Sequence, residues 1–290
     1  MLLSEPVVSR LAPTPSGFLH LGNAVNFTLT WLLTRQVGGT LHLRIDDLDR
    51  ARFRPAYLDN IFRTLAWLGL DYDAGPTGPD DFERHYSQRH FFAQYEAVLQ
   101  QLAQVPNLLE ASTRSRTGAT PAATVPLPTP AAAWRAQVPP ATEISFPDAS
   151  QGILTVPLGQ VMPDFVVRKK DGAAAYQVAS VVDDLRLGTN LIVRGLDLQA
   201  STAAQLWLAR QLPETAPFNA ARIQFYHHNL LLTPDGQKLS KSTQASGYGG
   251  IMAEATGPQV VYEAVARLLG LPPGPAGSLQ ELAALLGQVG

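Results

Sequence analysis

Apolar and polar positions along this chain follow two rhythms that take turns. Val7 to Leu11 is a short apolar run of the kind a buried strand presents. From Gly22 to Gln36 the apolar residues Ala24, Phe27, Leu29, Trp31, Leu32 and Leu33 recur at helical spacing. Gly38-Gly39 marks a turn, and Thr40 to Ile45 reads as a second strand that delivers Asp46 and Asp47 to its carboxyl end. Helical spacing returns over Pro55 to Leu68 (Leu58, Ile61, Phe62, Leu65, Leu68) and over Phe91 to Leu102. Further along, Ile153 to Val156, Phe165 to Val167 and Leu191 to Val193 read as strands and Leu198 to Leu212 as a helix. Tyr226 to Leu232 leads out of the sheet, and Pro258 to Leu271 and Ser278 to Leu286 read as two amphipathic helices covering it. Such alternation predicts an α/β fold with a parallel sheet and helices on both faces, in which ligands bind beyond the carboxyl ends of the strands.

One stretch breaks the rhythm. From Thr117 to Thr142 the composition turns to Ala, Pro and Thr, with prolines at 121, 126, 128, 130, 139 and 140. The expectation is an extended or partly disordered excursion within an insertion, with no core of its own. Trp134, Phe146 and Phe165 are the expected anchors of the insertion.

Composition narrows the class. With 46% hydrophobic and 16% charged residues in 290, the chain is that of a globular protein with one large or two modest cores. No apolar stretch approaches the roughly 20 residues needed to cross a bilayer. Met1 to Arg10 lacks the basic start and apolar run of a signal peptide, so a cytoplasmic location is expected. A net charge of −2 and a pI near 6.3 argue against a broad nucleic-acid face. They leave room for a small RNA site at Arg114, Arg116, Arg168, Lys169 and Lys170, which can equally be solvated charges. The chain contains no cysteine, which excludes disulfides and thiolate chemistry.

Against this scaffold two polar segments stand out. Pro13-Thr14-Pro15-Ser16-Gly17-Phe18-Leu19-His20-Leu21-Gly22-Asn23 joins the first strand to the first helix. Pro13 and Pro15 restrict φ and Gly17 allows a tight reversal, so the backbone can approach a ligand closely. A helix starting at about Leu21 offers free N–H groups and a positive dipole end to phosphate. His20, just before it, can donate to a phosphoryl oxygen whose charge grows during displacement. The second segment, Lys238-Leu239-Ser240-Lys241-Ser242, carries two ammonium groups and two hydroxyls. Alone, each has an ordinary explanation, a capping histidine and a solvated loop; together, in this order, they point to a nucleotide triphosphate clamp. Arg10 ends the first strand, Asp46 the second, Arg194 a later one, and Tyr176 starts a helix, so all four are expected on one rim. Two guanidiniums, a hydroxyl and an acid suit a small amino acid with two carboxylates.

The two segments resemble the signature motifs of class I aminoacyl-tRNA synthetases. Arg10-Leu11-Ala12-Pro13-Thr14-Pro15-Ser16-Gly17 narrows the resemblance to the glutamyl and glutaminyl branch. The likeness continues through Arg44-Ile45-Asp46-Asp47-Leu48-Asp49-Arg50, Asp164 to Gly172, Tyr176 to Asp184 and Val193-Arg194-Gly195. Full-length glutamyl-tRNA synthetases carry a large anticodon-binding region after the second motif, whereas 48 residues follow Ser242 here. In this the chain is similar to the glutamyl-queuosine tRNA(Asp) synthetases, which activate glutamate without a tRNA and attach it to the queuosine base of tRNA(Asp).

The resemblance implies a Rossmann-like parallel sheet with an inserted α+β subdomain and a short helical tail. Residues 1–105 and 173–245 would form the two halves of the catalytic domain, 106–172 the insertion and 246–290 the tail. It implies L-glutamate bound by Arg10, Leu11, Ala12, Pro13, Thr14, Asp46, Tyr176 and Arg194. ATP, with Mg2+ accompanying it, would lie on Pro13, Ser16, Gly17, His20, Gly22, Asn23, Lys238, Ser240 and Lys241. Catalysis would fall to His20, Lys238 and Lys241, with queuosine-bearing tRNA(Asp) as acceptor and the protein acting as a monomer away from membranes. Two departures stand out. Asp46 occupies a position where Glu is usual, withdrawing the carboxylate by about 1.5 Å, one carbon–carbon bond, a gap that a water can bridge. Where relatives hold a structural zinc with a Cys-x-Cys pair, this chain has Glu110 and Ser112, so no zinc is expected.

For the remaining acids the expected roles are structural: Arg44 paired with Asp49, and Asp183-Asp184 on a helix surface or cap. Two other functions stay open at this point. One is a nucleotidylyltransferase coupling ATP to a small acid without RNA; the other is a non-catalytic RNA-binding paralogue.

Overall fold

The computed structural model describes residues 6–113, 124–127, 129–231, 250–271 and 277–287. Strand β1 (Val8–Leu11) leads to helix α1 (Leu21–Arg35), β2 (Thr40–Leu43) and α2 (Pro55–Trp67). The short α3 (Pro79–Asp81) and α4 (Phe92–Leu102) precede β3 (Leu109–Ser112), β4 (Thr124–Val125) and β5 (Ala133–Gln137). A hairpin of β6 (Ile144–Asp148) and β7 (Gly152–Val156) is followed by α5 (Leu158–Val161), β8 (Asp164–Arg168) and α6 (Tyr176–Arg186). Then come β9 (Leu191–Gly195), α7 (Gln199–Ala209) and β10 (Gln224–His228), and finally α8 (Ile251–Glu254), α9 (Gln259–Leu268) and α10 (Leu279–Gly287). The fold is the expected mixed α/β one.

Two compact units are built from interleaved segments. The first comprises Met1–Gln88, Thr189–Leu196 and Phe225–Gly290. Here β1 and β2 run parallel, Val8 opposite Thr40 and Leu11 opposite Leu43. On the other side of β1, Asn190 donates its N–H to Val8 O (2.9 Å) and accepts Val8 N–H on its side-chain Oδ1 (2.8 Å). Ser9 Oγ then donates to Leu191 O (2.8 Å). Val8 goes with Asn190 and Ser9 with Leu191, so β9 runs the same way as β1, and β10 lies beyond β9. Helix α1 packs on β1 and β9. The tail helix α9, expected to cover the sheet, packs chiefly on α1, and Tyr262 Oη donates to Leu68 O at the end of α2 (3.1 Å). Leu11, Leu29, Leu41, Ile45, Ile61 and Leu65 are fully buried at the centre of this unit, each worth roughly 1.5–3 kcal/mol of transfer free energy. At the edge, Asp73 Oδ2 accepts Leu41 N–H and an Arg35 Nη1–H, both at 2.7 Å. These bonds hold the Asp73 carboxyl below the ordinary carboxylate range.

The second unit comprises Arg89–Gly188 and Asp197–Gln224. Its antiparallel sheet has the order β4-β3-β5-β8, with Ala111 opposite Trp134 and Ala136 opposite Phe165. Helix α4 packs on α6, and α6 on α7 and β8. The expectation that 117–142 builds no core fails for its second half. Strand β5 sits between β3 and β8, and Ala132, Trp134, Ala136 and Val138 are all buried. Those four alternate along the chain, so one face of an Ala/Pro-rich run is apolar, and the small side chains leave room for the indole. Trp134 Nε1–H donates to Leu127 O (2.6 Å), and the Arg168 guanidinium lies 4.8 Å over its ring. The anchors Trp134, Phe146 and Phe165 are buried as expected, Phe165 meeting Trp207 edge-on at 6.0 Å. Arg114 and Arg116 lie outside the described residues.

Asp183 and Asp184 need correction. Both are fully buried rather than on a helix surface. Asp183 accepts from Tyr95 Oη (2.9 Å) and from Arg186 Nη2 (3.0 Å), whose guanidinium stacks 3.8 Å over Phe91. A buried carboxylate persists only when its charge is met by such donors, so Asp183 belongs to the packing between α4 and α6.

Candidate active site

The first unit brings the turn after β1 and the start of α1 together around His20. His20 is the N-cap of α1: its Nδ1 accepts Gly22 N–H (3.1 Å), and Asn23 Oδ1 accepts His20 N–H (3.2 Å). This reciprocal capping box satisfies two of the donors a helix start leaves open. It also decides the tautomer of the neutral ring. With Nδ1 accepting, the proton resides on Nε2, which becomes a donor. Gly22 is glycine for a steric reason, since a Cβ there would sit 3.1 Å from the His20 ring. Gly17 differs from expectation. Its φ is not in the left-handed region and a Cβ would meet nothing within 4 Å, so its contribution is open space beside the backbone. The reversal is made by a bond from Ser16 N–H to Thr14 O (2.9 Å) across Pro15.

The loops after β1 and β2 continue the sheet's hydrogen bonding. Arg44 N–H donates to Leu11 O and Asp46 N–H to Pro13 O, both at 2.9 Å. Asp46 is thereby fastened to the Ala12-Pro13-Thr14 turn. Leu11 is fully buried, so only its backbone is available there. Arg10 and Arg194 are buried guanidiniums near the carboxyl ends of the neighbouring strands β1 and β9. The ion pairing in the loop departs from expectation: Arg44 chelates Asp46 (Nε–Oδ1 2.7 Å, Nη2–Oδ2 3.1 Å), while Asp49 pairs with Arg52. The shorter acid at 46 brings its carboxylate within bidentate reach of Arg44, two residues earlier. Next to it, the fully buried Asp47 accepts from Ser87 Oγ (2.6 Å), Gln88 N–H (2.8 Å) and Arg50 Nη1 (2.7 Å). Thr14 is exposed. Tyr176, at the first turn of α6, is 43% exposed and belongs to the second unit. Lys238, Ser240 and Lys241 lie outside the described residues.

The sequence matches the catalytic domain of the class I tRNA synthetases (E and Q) over residues 6–106 and 129–281. The chain belongs to that family. As a class I synthetase domain it is a ligase. It is 37% identical to a glutamyl-Q tRNA(Asp) synthetase of Symbiobacterium thermophilum, over 90% of this chain and 86% of the relative. It is 38% identical to one of Xanthomonas campestris, over 83% and 78%. A glutamate–tRNA ligase of a Synechococcus species is 32% identical over 91% of this chain and 57% of its own length. Among solved structures, a glutamate-tRNA synthetase from Elizabethkingia anophelis shares the fold with a TM-score of 0.76 at 24% identity. The likeness covers 96% of this chain, which spans 65% of that protein.

For a synthetase of this family, the insertion raises the question of zinc. Glu110 and Ser112 alternate on β3, opposite Arg135 and Ala133, and Ser112 is buried. A hydroxyl and a carboxylate two positions apart on a strand do not supply the soft donors of a structural zinc site. Among the described residues no group of three or more His, Asp or Glu is placed to hold a metal, and no helix is long and apolar enough to cross a membrane.

Sequence reasoning missed three polar residues of this synthetase's first unit. Asn60 Oδ1, on α2, accepts Leu19 N–H (2.9 Å). His228 spans from Asn26 Oδ1 (3.1 Å) on α1 to Asn229 O (2.9 Å). The signal was available for Asn60: a short amide among the helically spaced residues of 55–68 is a poor helix former that must meet a partner if buried.

Proposed function

We propose that this synthetase activates L-glutamate with ATP in the absence of tRNA and then transfers the glutamyl group to the queuosine base in the anticodon of tRNA(Asp). In the first step an oxygen of the glutamate α-carboxylate forms a bond to the α-phosphorus of ATP as the bond to the bridging oxygen of the β-phosphate breaks. The products are glutamyl-adenylate and pyrophosphate. A displacement of this kind is accelerated by positioning and by charge stabilisation. His20 is suited to it because its capped Nδ1 leaves Nε2–H to donate to an α-phosphate oxygen as negative charge accumulates there. The start of α1 adds backbone donors and the positive end of its dipole. Arg10 and Arg194 supply guanidiniums for the carboxylates of glutamate, and Tyr176 a hydroxyl. Asp46, held by Arg44, meets the ammonium through a water. Lys238 and Lys241 hold the departing pyrophosphate, and Mg2+ accompanying ATP offsets phosphate charge. In the second step a hydroxyl of the queuosine ring attacks the activated carbonyl and releases AMP.

What carries the acceptor assignment is the similarity to relatives named for that reaction, at 37% and 38% identity, against 32% for the glutamate–tRNA ligase. The residue types themselves, two guanidiniums, a hydroxyl and an acid, also suit glutamate. Two measurements test the reading. Glutamate-dependent ATP–pyrophosphate exchange should proceed without RNA, and absence of exchange at any glutamate concentration would end it. Labelled glutamate should be transferred to tRNA(Asp) containing queuosine when the 3′ ribose has been oxidised by periodate with the queuosine diol protected. Label that needs an intact 3′ ribose and ignores queuosine would identify a glutamyl-tRNA synthetase instead.

A further inference from the structure

The residues just before His20 are gripped from two directions. Leu19 is 3% exposed, and both polar groups of its backbone are taken by partners far away in sequence. Its N–H donates to Asn60 Oδ1 at 2.9 Å, and its carbonyl accepts Ile251 N–H at 2.8 Å. Gly250, at φ +62, comes so close that a Cβ there would lie 2.3 Å from Leu19 O. Phe18 adds a third hold, its ring meeting Tyr57 of α2 edge-on with centroids 4.9 Å apart. Asn60 and Tyr57 lie three residues apart on one face of α2, so a single helix turn grips both Phe18 and Leu19.

The direction of the His20 ring depends on this grip. The capping bond to Gly22 fixes the ring relative to α1, but the Cα–Cβ bond that carries it is set by the peptide joining Leu19 to His20. Nε2 is the atom farthest from that peptide, so a small tilt is magnified at the donor. A misplacement of about 1 Å at a reacting group costs about a hundredfold in rate. Asn60 is 4% exposed on a helix face that also buries Thr64, and desolvating its amide there is costly unless it is bonded.

We propose that Asn60 is a positioning residue for His20, acting through the Leu19 peptide. The inference rests on the reading that His20 Nε2 meets the α-phosphate of ATP, and it adds a residue of α2 to the determinants of the activation step. Its signature is a loss in turnover rather than in substrate binding, because Asn60 itself touches neither substrate.

The test uses the full chain in ATP–pyrophosphate exchange with glutamate. Asn60→Leu, similar in size but without an acceptor, should lower kcat by about tenfold or more, a fraction of the loss for a full 1 Å displacement, with KM for ATP and glutamate unchanged within about twofold. Asn60→Asp keeps an acceptor for Leu19 N–H and should restore most of the rate. Combining Asn60→Leu with His20→Ala should lose no more than His20→Ala alone, since both remove the same contribution. An unchanged kcat in folded Asn60→Leu, a rise in KM alone, or additive losses would overturn the proposal. Should Asn60→Leu fail to fold, Gly250→Ala presses on the same peptide from its carbonyl side and should give the same loss of kcat. Gly250→Ala with unaltered kcat would overturn it equally. If the wild-type chain shows no exchange, the functional reading fails, and the positioning claim is judged separately by nitrogen-15 spectra of the His20 imidazole. Those signals should shift in Asn60→Leu and not in Asn60→Asp, and no shift in either would refute it.

Discussion

The two compact units contrast in emphasis, although each has contacts of both kinds: Phe18 on Tyr57 in the first, and Asn219 donating to Leu206 O in the second. In the first, β1 and the turn before α1 are fastened by short amides reaching backbone groups: Asn23 to His20 N–H, Asn60 to Leu19 N–H, Asn190 to Val8 N–H. In the second, rings and guanidiniums are stacked: Arg168 on Trp134, Arg186 on Phe91, Phe165 against Trp207. A hydrogen bond to the backbone fixes a direction to within a narrow cone. A stack fills volume and tolerates sliding. On the proposed function, the unit bearing His20 would need the former, because positioning governs a displacement at phosphorus. In the second unit the stacked rings fill volume around β5 and α6.

Substitutions in each unit test this contrast. The largest expected effect is Trp134→Ala, which removes a ring that is 5% exposed and should cost about 3–5 kcal/mol, the range for buried aromatic truncations. Denaturant unfolding followed by circular dichroism measures it. Washing the wild-type protein with chelator should leave its melting temperature unchanged, and a drop would mean that metal, not stacking, holds the insertion. Asn190→Ala comes next. It leaves Val8 N–H without its acceptor in the part-buried seam between β1 and β9 and should cost about 1–3 kcal/mol, whereas a change below about 0.5 kcal/mol, the ordinary range for an exposed substitution, would show that amide fastening is dispensable there.

The smallest effect concerns Asp73. Its carboxyl is held below the ordinary range chiefly by the hydrogen bond from Arg35, then by that from Leu41 N–H. A group with a lowered folded pKa stabilises the fold above its unfolded pKa and loses that contribution as pH falls through the folded value. Asp73→Asn keeps an acceptor for Leu41 but removes the charge facing Arg35. The wild type should therefore exceed the variant near pH 7 and lose its advantage below about pH 4, where unfolded carboxylates protonate. With the side chain 45% exposed, solvent screening holds the difference under about 1 kcal/mol. An advantage that grows on acidification would contradict the assignment.

Much of this was legible before any coordinates. The strands β1, β2 and β9, the helices α1 and α2, and the capping position of His20 follow from spacing and local chemistry, which depend on neighbours in sequence. What escaped was set by distant neighbours. Strand β5 hid in a run whose Ala and Pro content suggested no core, because small residues become core only when a large partner such as Trp134 shares their face. Asp183 and Asp184 looked like surface acids because nothing local announces Tyr95 as the donor that lets Asp183 be buried. Arg44 chose Asp46 over Asp49 through loop geometry that spacing alone does not give. Asn60 matters through Leu19, 41 positions away.

The bond between Asn190 and Val8 closes 182 residues of chain, and this has a consequence in time. On a ribosome adding about 5–20 residues per second, roughly 9–36 s separate the appearance of β1 from that of the strand beside it. Throughout that interval β1 can pair with β2, but its other edge is bare. The sheet of β3, β5 and β8 draws only on residues 109–168 and can close while β1 still waits. Pulsed hydrogen exchange during synthesis should accordingly protect the amide of Ala136 before that of Val8. The bare edge of β1 is where a nascent chain of this protein is most open to chaperones, and to pairing with the wrong strand.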